Sequence, residues 1–226
     1  VGLTVDGAPP LVDDDGPTRA TEMTGIAFSA AMRHRGFWWL GSAYFLALVS
    51  NVAIGIHLIP LLAERGYGAG FAAAAAGAIG LAGLPGRLFF LPLGEKIDLR
   101  AIVAAIFGIQ SIGLIVLLTA HARASVWLFV LLFGFGIGAI SATRASLVAD
   151  IYGSRDYGAI NGAMGFFTTI ARALAPIGGR VIHDALGGYR VMLIVLICCS
   201  AGAGLAITRV QSTRSVATAN AKPDWA

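Results

Sequence analysis

Charged residues are scarce in this sequence, and their scarcity argues against a water-soluble fold. Asp, Glu, Lys and Arg make up 12% of the 226 residues, which is about half of the roughly 25% typical of soluble domains. Hydrophobic residues make up 57%, and the mean hydropathy is +0.80. A chain with so few water-binding side chains cannot cover its surface with them, so we expect much of that surface to face lipid.

Several kinds of chemical site are also missing. The sequence contains no glycine-rich nucleotide loop, no cluster of metal ligands and no nucleophile paired with a base, so we expect neither an enzyme nor a bound cofactor or metal. The two cysteines, Cys198 and Cys199, are neighbours in an apolar run and are better explained as small packing residues than as a disulfide. The net charge of +4 does not indicate nucleic-acid binding, because the basic residues lie at the ends of apolar runs.

Long apolar runs are what the sequence does contain. Six stretches carry no charged residue: 36–63, 66–86, 101–122, 124–143, 157–171 and 191–208. A helix needs about 20 apolar residues to cross the bilayer core, and the fifth stretch reaches this length once Arg172 and the residues after it are included. The stretches lack the alternation of barrel strands. We therefore predict an all-α membrane protein with six transmembrane helices.

The regions outside these runs give the domain boundaries. Residues 1–36 are polar, contain clusters of Asp and Pro and begin with Val1, so we interpret them as a flexible cytoplasmic linker in a fragment or truncated reading frame. No signal peptide is visible. Residues 37–210 are the predicted six-helix transmembrane domain, and residues 211–226 are a predicted cytoplasmic tail.

The distribution of Lys and Arg predicts the orientation. With six spans, both chain ends and two connecting turns lie on one side of the membrane. That side holds eleven of the 16 Lys and Arg residues, the other side holds four, and Arg172 lies inside a span. Under the positive-inside rule, both termini are expected in the cytoplasm of a multi-pass cell-membrane protein.

The six spans divide into two groups of three. The second span of each group contains proline and glycine beside an arginine, at residues 83–87 and 172–179. Interruptions at corresponding places in two three-helix groups indicate a pair of inverted repeats, as in secondary transporters. The alternative is that these are ordinary glycines and prolines, which are frequent in membrane helices.

Glycines spaced four residues apart occur twice in the predicted spans. The pairs are Gly134 with Gly138, and Gly158 with Gly162. Such spacing allows two helix backbones to approach closely, so we predict close helix packing at both pairs.

Arg172 is the only charged residue deep inside a predicted span. One stripe of this helix, at 100° per residue, carries hydrogen-bonding side chains, while the other side is apolar. The stripe comprises Asn161, Thr168, Thr169 and Arg172. An arginine inside a bilayer costs about 2.5–3.5 kcal/mol and usually has a partner or a task, so we predict that these residues bind substrate. Arg172 could instead stabilise carbonyls freed by Pro176, or pair with a carboxylate elsewhere.

Two further groups of residues are candidates. Tyr44 and Asn51 share a face of the first span, and His57 near its outer end could relay protons or make structural hydrogen bonds. We include these three among the predicted substrate-binding residues. Arg87 and Arg144 lie near the cytoplasmic ends of their spans, where long side chains reach the interface. For these two arginines we predict a gate or a loop anchor and not substrate contact.

With these residues identified, the sequence resembles a known family. Residues 86–96, GRLFFLPLGEK, are similar to the Gly-Arg-x-x-x-Gly-x-Leu-x-Asp-Arg loop signature of the major facilitator superfamily, with Leu91, Glu95 and Lys96 replacing glycine, aspartate and arginine. Residues 57–60, 149–153, 157–162, 176–179 and 184–189 together resemble the C-terminal half of monocarboxylate-transporter-like members. The resemblance covers about residues 33–210.

The resemblance implies two six-helix halves around a central cavity, of which this chain is the C-terminal half and a missing N-terminal half is the partner. It assigns Gly86, Arg87, Glu95 and Lys96, together with Arg144, to a cytoplasmic gate and loop motif. The expected function is secondary active transport of a small organic anion, such as a monocarboxylate, by alternating access, with proton coupling left open. The alternative is a non-transporting six-helix scaffold or sensor.

Overall fold

The structure, a computed structural model, describes residues 25–93 and 97–210, and α-helices dominate it. The helices are α1 (Phe28–Arg33), α2 (Arg35–Glu64), α3 (Ala69–Leu93), α4 (Leu99–Leu118), α5 (Arg123–Tyr152), α6 (Tyr157–Leu186) and α7 (Tyr189–Thr208). The prediction of an all-α protein is confirmed. Glu95 and Lys96 of the predicted gate lie outside the described residues, as do residues 1–24 of the predicted linker and the predicted tail, residues 211–226.

Five of the helices are long and apolar enough to cross a membrane, namely α2, α3, α4, α5 and α7. The exception among the long helices is α6, which has 30 residues and carries the polar stripe around Arg172. Its polar side chains lower its hydropathy below that of the other five. A sixth span therefore stays a prediction.

The helix breaks predicted from proline and glycine are wrong. Both α3 and α6 continue without interruption through residues 83–87 and 172–179. Proline is tolerated in such helices because neighbouring helices and side chains can satisfy the backbone groups that it frees. The glycines have another use in α3: Gly86 is buried against the backbone of Phe135 in α5.

Glycine also brings α3 and α5 into backbone contact further along. A Cβ atom added at Gly138 would overlap the Gly83 carbonyl group, and one added at Gly134 would lie 2.6 Å from the carbonyl oxygen of Ile79. This confirms the close packing predicted for Gly134 and Gly138. For the second pair the described residues show no such packing, since no atom lies within 4 Å of a Cβ atom added at Gly158 or Gly162.

The long helices alternate in direction. We call the end of the bundle with the first residue of α2 and the last residue of α7 the proximal end, and the opposite end the distal end. An apolar cluster fills each end: Phe37, Phe107 and Tyr152 belong to the proximal cluster, and Leu58 and Phe129 to the distal one.

The helix contacts have an internal symmetry. The most extensive are α3 with α5, α4 with α7, α4 with α5, α2 with α7 and α2 with α6. Exchanging α2 with α5, α3 with α6 and α4 with α7 converts this set of contacts into itself. The two groups of three helices therefore occupy equivalent places in the contact pattern.

Residues 25–34, which the sequence assigns to the linker, join the bundle at its proximal end. The Ile26 N–H donates to the Tyr152 carbonyl oxygen at 3.0 Å, and the Phe28 N–H donates to the Asp156 carboxylate at 2.7 Å. Within α1, Ala31 is completely buried. These bonds fix the chain against the connection between α5 and α6 just before α2 begins.

Candidate functional site

A cavity of about 340 Å³ opens between four helices, and it brings together many of the predicted site residues. Its lining comes from α2, α3, α5 and α6, and comprises Tyr44, Leu48, Asn51, Arg87, Ile137, Ile140, Arg144, Thr168 and Arg172. Four of these were predicted to bind substrate: Tyr44, Asn51, Thr168 and Arg172. The structure also places Arg87 and Arg144 in the cavity wall, although the sequence assigned both to a gate.

The three cavity arginines line one space without a described acidic residue beside them. Among the described residues, no carboxylate lies within ion-pair distance of Arg87, Arg144 or Arg172, and none of the described lining residues is acidic. Elsewhere, by contrast, Arg100 pairs with Asp98 at 2.8 Å and Arg180 with Asp184 at 3.5 Å. The cavity therefore holds three positive charges that the described part of the chain leaves uncompensated.

These charges lie at two depths. Arg87 is six residues from the proximal end of α3 and Arg144 eight residues from that of α5, whereas Arg172 is 15 residues from that of α6. At 1.5 Å per residue, the first two lie about 9–12 Å and the third about 22 Å from the proximal ends of their helices. Counted along the helix backbones, the cavity thus has a lower level with two arginines and an upper level with one, about 10–13 Å apart.

Asn51 is held in place by a residue that the sequence analysis did not select. The side-chain N–H of Gln110 in α4 donates to Asn51 Oδ1 at 2.9 Å. Because the Asn51 oxygen is occupied in this way, its amide N–H groups are the part of the side chain left to serve the cavity. Gln110 is fully buried, and a Cβ atom at Gly136 would lie 2.6 Å from its Cγ, so this glycine makes room for it. Gln110 could have been identified from the sequence, because an amide side chain in an otherwise apolar span needs a hydrogen-bond partner.

Tyr44 and Thr168 complete the polar wall. Tyr44 is 3% exposed, and its ring meets that of Phe107 edge to face at a centroid distance of 6.0 Å, which fixes the ring orientation. Thr168 Oγ1 donates to the Gly165 carbonyl at 2.7 Å, so its oxygen keeps lone pairs for a hydrogen bond from a ligand.

Three other predicted residues lie outside the cavity lining. Thr169 bonds the Gly165 carbonyl at 3.0 Å from an exposed position. Asn161 has a buried Oδ1 without a hydrogen-bond partner among the described residues. His57 is buried at the distal end, where its Nε2 lies against Gly179 and its ring centroid lies 5.8 Å from that of Tyr189.

A second polar cluster joins the distal ends of α2 and α6. His183 Nε2 lies 2.7 Å from a Glu64 oxygen, and His183 Nδ1 lies 3.2 Å from an Asp184 oxygen. The ring of Tyr189 covers the imidazole at a centroid distance of 4.4 Å. Hydrogen bonds to Glu64, and then to Asp184, raise the pKa of His183 because both favour the imidazolium form.

A larger crevice of about 480 Å³ lies beside this cluster. Its lining is Leu61, Glu64, Arg65, Leu118, Thr119, His121, Tyr189 and Arg190. Glu64 already binds His183, and Arg65 Nη1 donates to the Leu117 carbonyl at 2.6 Å. Since Glu64 and Arg65 already have partners, and the smaller cavity brings together three arginines with no acidic partner among the described residues, we regard the smaller cavity as the candidate site. Within the described residues, no group of three His, Cys, Asp or Glu side chains is arranged to hold a metal ion.

The family follows from comparison with known proteins. The sequence model described as Major Facilitator Superfamily matches residues 5–176, which is about three quarters of the chain. The chain belongs to the Major Facilitator Superfamily. Its members are membrane transporters and not enzymes, so the prediction of a non-enzymatic multi-pass membrane protein is confirmed.

Relatives within the Major Facilitator Superfamily agree with this assignment. An MFS-type transporter of Gibberella moniliformis is 38% identical over 88 residues, which are 38% of this chain and 21% of that protein. A crystal structure of the E. coli fucose:proton symporter FucP has a TM-score of 0.70 at 19% identity, covering 82% of this chain and 46% of the symporter. A structure of FucP in the outward conformation has a TM-score of 0.67 at 20% identity, covering 87% and 47%. The chain thus matches less than half the length of each of these proteins.

Proposed function

We propose that this chain is the C-terminal six-helix half of a secondary active transporter for small organic anions. The observation that carries the proposal is a cavity lined by three arginines that have no acidic partner among the described residues. Substrate would bind between this wall and an N-terminal six-helix half, and alternating access would expose it to either side of the membrane. The match to about half the length of a solved transporter supports the two-half arrangement.

The chemistry of the lining favours an anion. Each guanidinium offers a planar fork that matches a carboxylate in two parallel hydrogen bonds. The remaining polar side chains, those of Tyr44, Asn51 and Thr168, are uncharged and can bond hydroxyl or carboxylate oxygens. Arginines inside a membrane domain usually mark a substrate or ion pathway. Monocarboxylates are the first class to test, because the sequence resembles that branch of the superfamily.

The six-span repeat architecture is part of the proposal. The contact pattern survives the exchange of the two helix triplets, as expected of inverted repeats. In this arrangement α6 is the remaining span. Thr168 and Arg172 of its polar stripe line the cavity, while Phe166, Leu174 and Ile177 are exposed. The proximal end would be cytoplasmic, following the excess of Lys and Arg there.

The proposal includes coupling of anion transport to proton movement. FucP, which shares the fold, is a proton symporter. In this chain, His57 is buried with an unpartnered Nε2 among the described residues, and His183 lies between two carboxylates. Histidine titrates near neutral pH and is a common proton carrier. An inward proton gradient should therefore accelerate uptake.

Orientation can be tested by labelling from outside intact cells with an impermeant thiol reagent. With Cys198 and Cys199 replaced, a single cysteine at Arg123 should label, whereas cysteines at Asp13 and Asn220 should be shielded. Labelling at either of the last two positions would reverse the proposed topology.

Uptake in proteoliposomes tests the transport function. This chain combined with its N-terminal half should take up labelled lactate, pyruvate or a dicarboxylate in a saturable manner, and this chain alone should not, because it provides only one wall. Arg172→Gln should abolish uptake, while Arg180→Gln is the matched control: Arg180 lies on the same helix, outside the cavity, with an 81% exposed side chain. No uptake of any anion by the two-half protein, despite correct insertion, would favour the scaffold or sensor alternative.

A further inference from the structure

We propose, building on the anion-transport function above, that the substrate carries two separated negative charges, as a short dicarboxylate does. The basis is the arrangement of the cavity arginines at two levels, with Arg172 above and Arg87 and Arg144 below. This assigns a narrower substrate class than the resemblance to monocarboxylate transporters does.

The first step in the argument is the number of charges. A single carboxylate accepts one bidentate pair of hydrogen bonds and neutralises one guanidinium. A monocarboxylate bound at Arg172 would therefore leave two cationic side chains in the same cavity without a counter-charge. Like charges that share one cavity repel each other unless an opposite charge lies between them. A dianion also neutralises the charge of a second arginine, so more of the cavity side chains contribute to binding.

The second step is distance. The two levels lie about 10–13 Å apart along the helix backbones, and the long flexible arginine side chains can narrow that gap. A chain of about four to six carbons with a carboxylate at each end can then reach both levels. An anion whose charges sit on one atom, such as phosphate, reaches only one level at a time.

The third step is the neutral middle of the cavity. Apart from the arginines, the lining consists of Leu48, Ile137 and Ile140 and the uncharged polar residues Tyr44, Asn51 and Thr168. Apolar side chains suit the methylene carbons of a dicarboxylate, and the hydrogen-bonding groups suit hydroxyl substituents on them. The competing explanation is that carboxylates of the N-terminal half neutralise Arg87 and Arg144, in which case one charge on the substrate is sufficient.

A matched series of competitors separates these explanations in the complete two-half protein. Succinate carries two carboxylates, succinamate has the same length with one carboxylate replaced by an amide, and butyrate has one carboxylate only. At about pH 7.5, where carboxylates are ionised, we expect succinate to inhibit uptake of labelled succinate or butyrate about ten- to hundredfold more strongly than succinamate. Inorganic phosphate should compete no better than succinamate.

Variants test whether the second carboxylate of the substrate binds at the lower level. Arg144→Gln and Arg87→Gln should each reduce the affinity for succinate severalfold, and by a larger factor than they reduce that for butyrate. Arg180→Gln, outside the cavity, should leave both unchanged. The competitor series on the unmodified protein provides the result even where a variant folds poorly.

Two outcomes would overturn the inference in distinguishable ways. If succinamate or butyrate competes as strongly as succinate, one negative charge is sufficient and the dianion assignment fails while the anion transporter stands. Equal competition by phosphate would likewise exclude two separated charges. If no labelled anion is taken up at all, the proposed function fails, and the dianion assignment fails with it.

Discussion

The distal cluster and the cavity, the two polar regions of this membrane domain, differ in whether their charged side chains are paired. In the distal cluster, His183 is matched by Glu64 and Asp184, and Arg180 by Asp184. In the cavity, three arginines line one space, and the described residues offer them no carboxylate. The distal charges are arranged as a structural link between α2 and α6. The cavity charges are arranged for a counter-charge that this part of the chain does not contain.

This difference has an energetic consequence. Like charges that line one cavity repel each other, and the repulsion grows as they approach. Because these arginines have no acidic partner among the described residues, their repulsion opposes stability. An anion that enters the cavity reduces the repulsion and gains charge-assisted hydrogen bonds. Substitutions in the cavity should thus alter ligand affinity, whereas substitutions in the distal cluster should alter stability.

The largest expected effect is that of Arg172→Lys in the two-half protein. Lysine keeps the charge but loses the planar fork, so substrate affinity should fall about ten- to hundredfold, corresponding to about 1.5–3 kcal/mol. The melting temperature in detergent should not fall, because Arg172 has no partner among the described residues. Affinity and melting should be measured on the same preparations, with Arg180→Lys as control. Unchanged affinity with a lower melting temperature would make Arg172 a structural residue.

A carboxylate introduced into the cavity should pair with an arginine there, as the carboxylates of the distal cluster pair with His183 and Arg180. Thr168 lies one helical turn before Arg172, so Thr168→Glu places a carboxylate at the i, i+4 position, where it can pair with the guanidinium. Anion affinity should fall by about tenfold, and the melting temperature should stay level or rise. Thr168→Gln is the matched control, because it has the same length without the charge. Equal loss of affinity in both variants would mean that bulk, not charge, is responsible.

A smaller effect is expected at Gln110, which positions Asn51 through the 2.9 Å hydrogen bond. Gln110→Leu should free the Asn51 amide to rotate and reduce anion affinity about fivefold, or about 1 kcal/mol. In an Asn51→Leu background the same substitution should have no further effect, because the residue that it orients is gone. Additive losses in this double-mutant cycle would show that Gln110 does not act through Asn51.

Much of the architecture could be predicted from sequence, because the bilayer imposes it. Long apolar runs, the glycine pair Gly134 and Gly138, and the arginine in α6 each have a strong local signature. No local sequence signature shows which residues line the cavity. Arg87 and Arg144 lie near the ends of their helices, and only the packing of α3, α5 and α6 brings them to the same cavity as Arg172. Likewise, the packing at Gly158 and Gly162 depends on which helix faces them, and no local spacing encodes this.

The smallest expected effect is a pH dependence of the melting temperature that comes from the distal cluster. Because Glu64 and Asp184 raise the pKa of His183, the imidazolium contributes stability that is fully present below its unfolded pKa of about 6.5 and is lost as the pH rises through the higher folded pKa. The melting temperature of the natural protein should therefore exceed that of His183→Gln most in mildly acidic buffer, and the difference should shrink toward alkaline pH. Glu64→Gln should remove most of this pH dependence. His121→Gln is a suitable control, because the only hydrogen bond of that ring among the described residues is to the Thr119 carbonyl. A difference that grows with pH would mean that the neutral imidazole is the bonded form and that the distal cluster is not an ion pair.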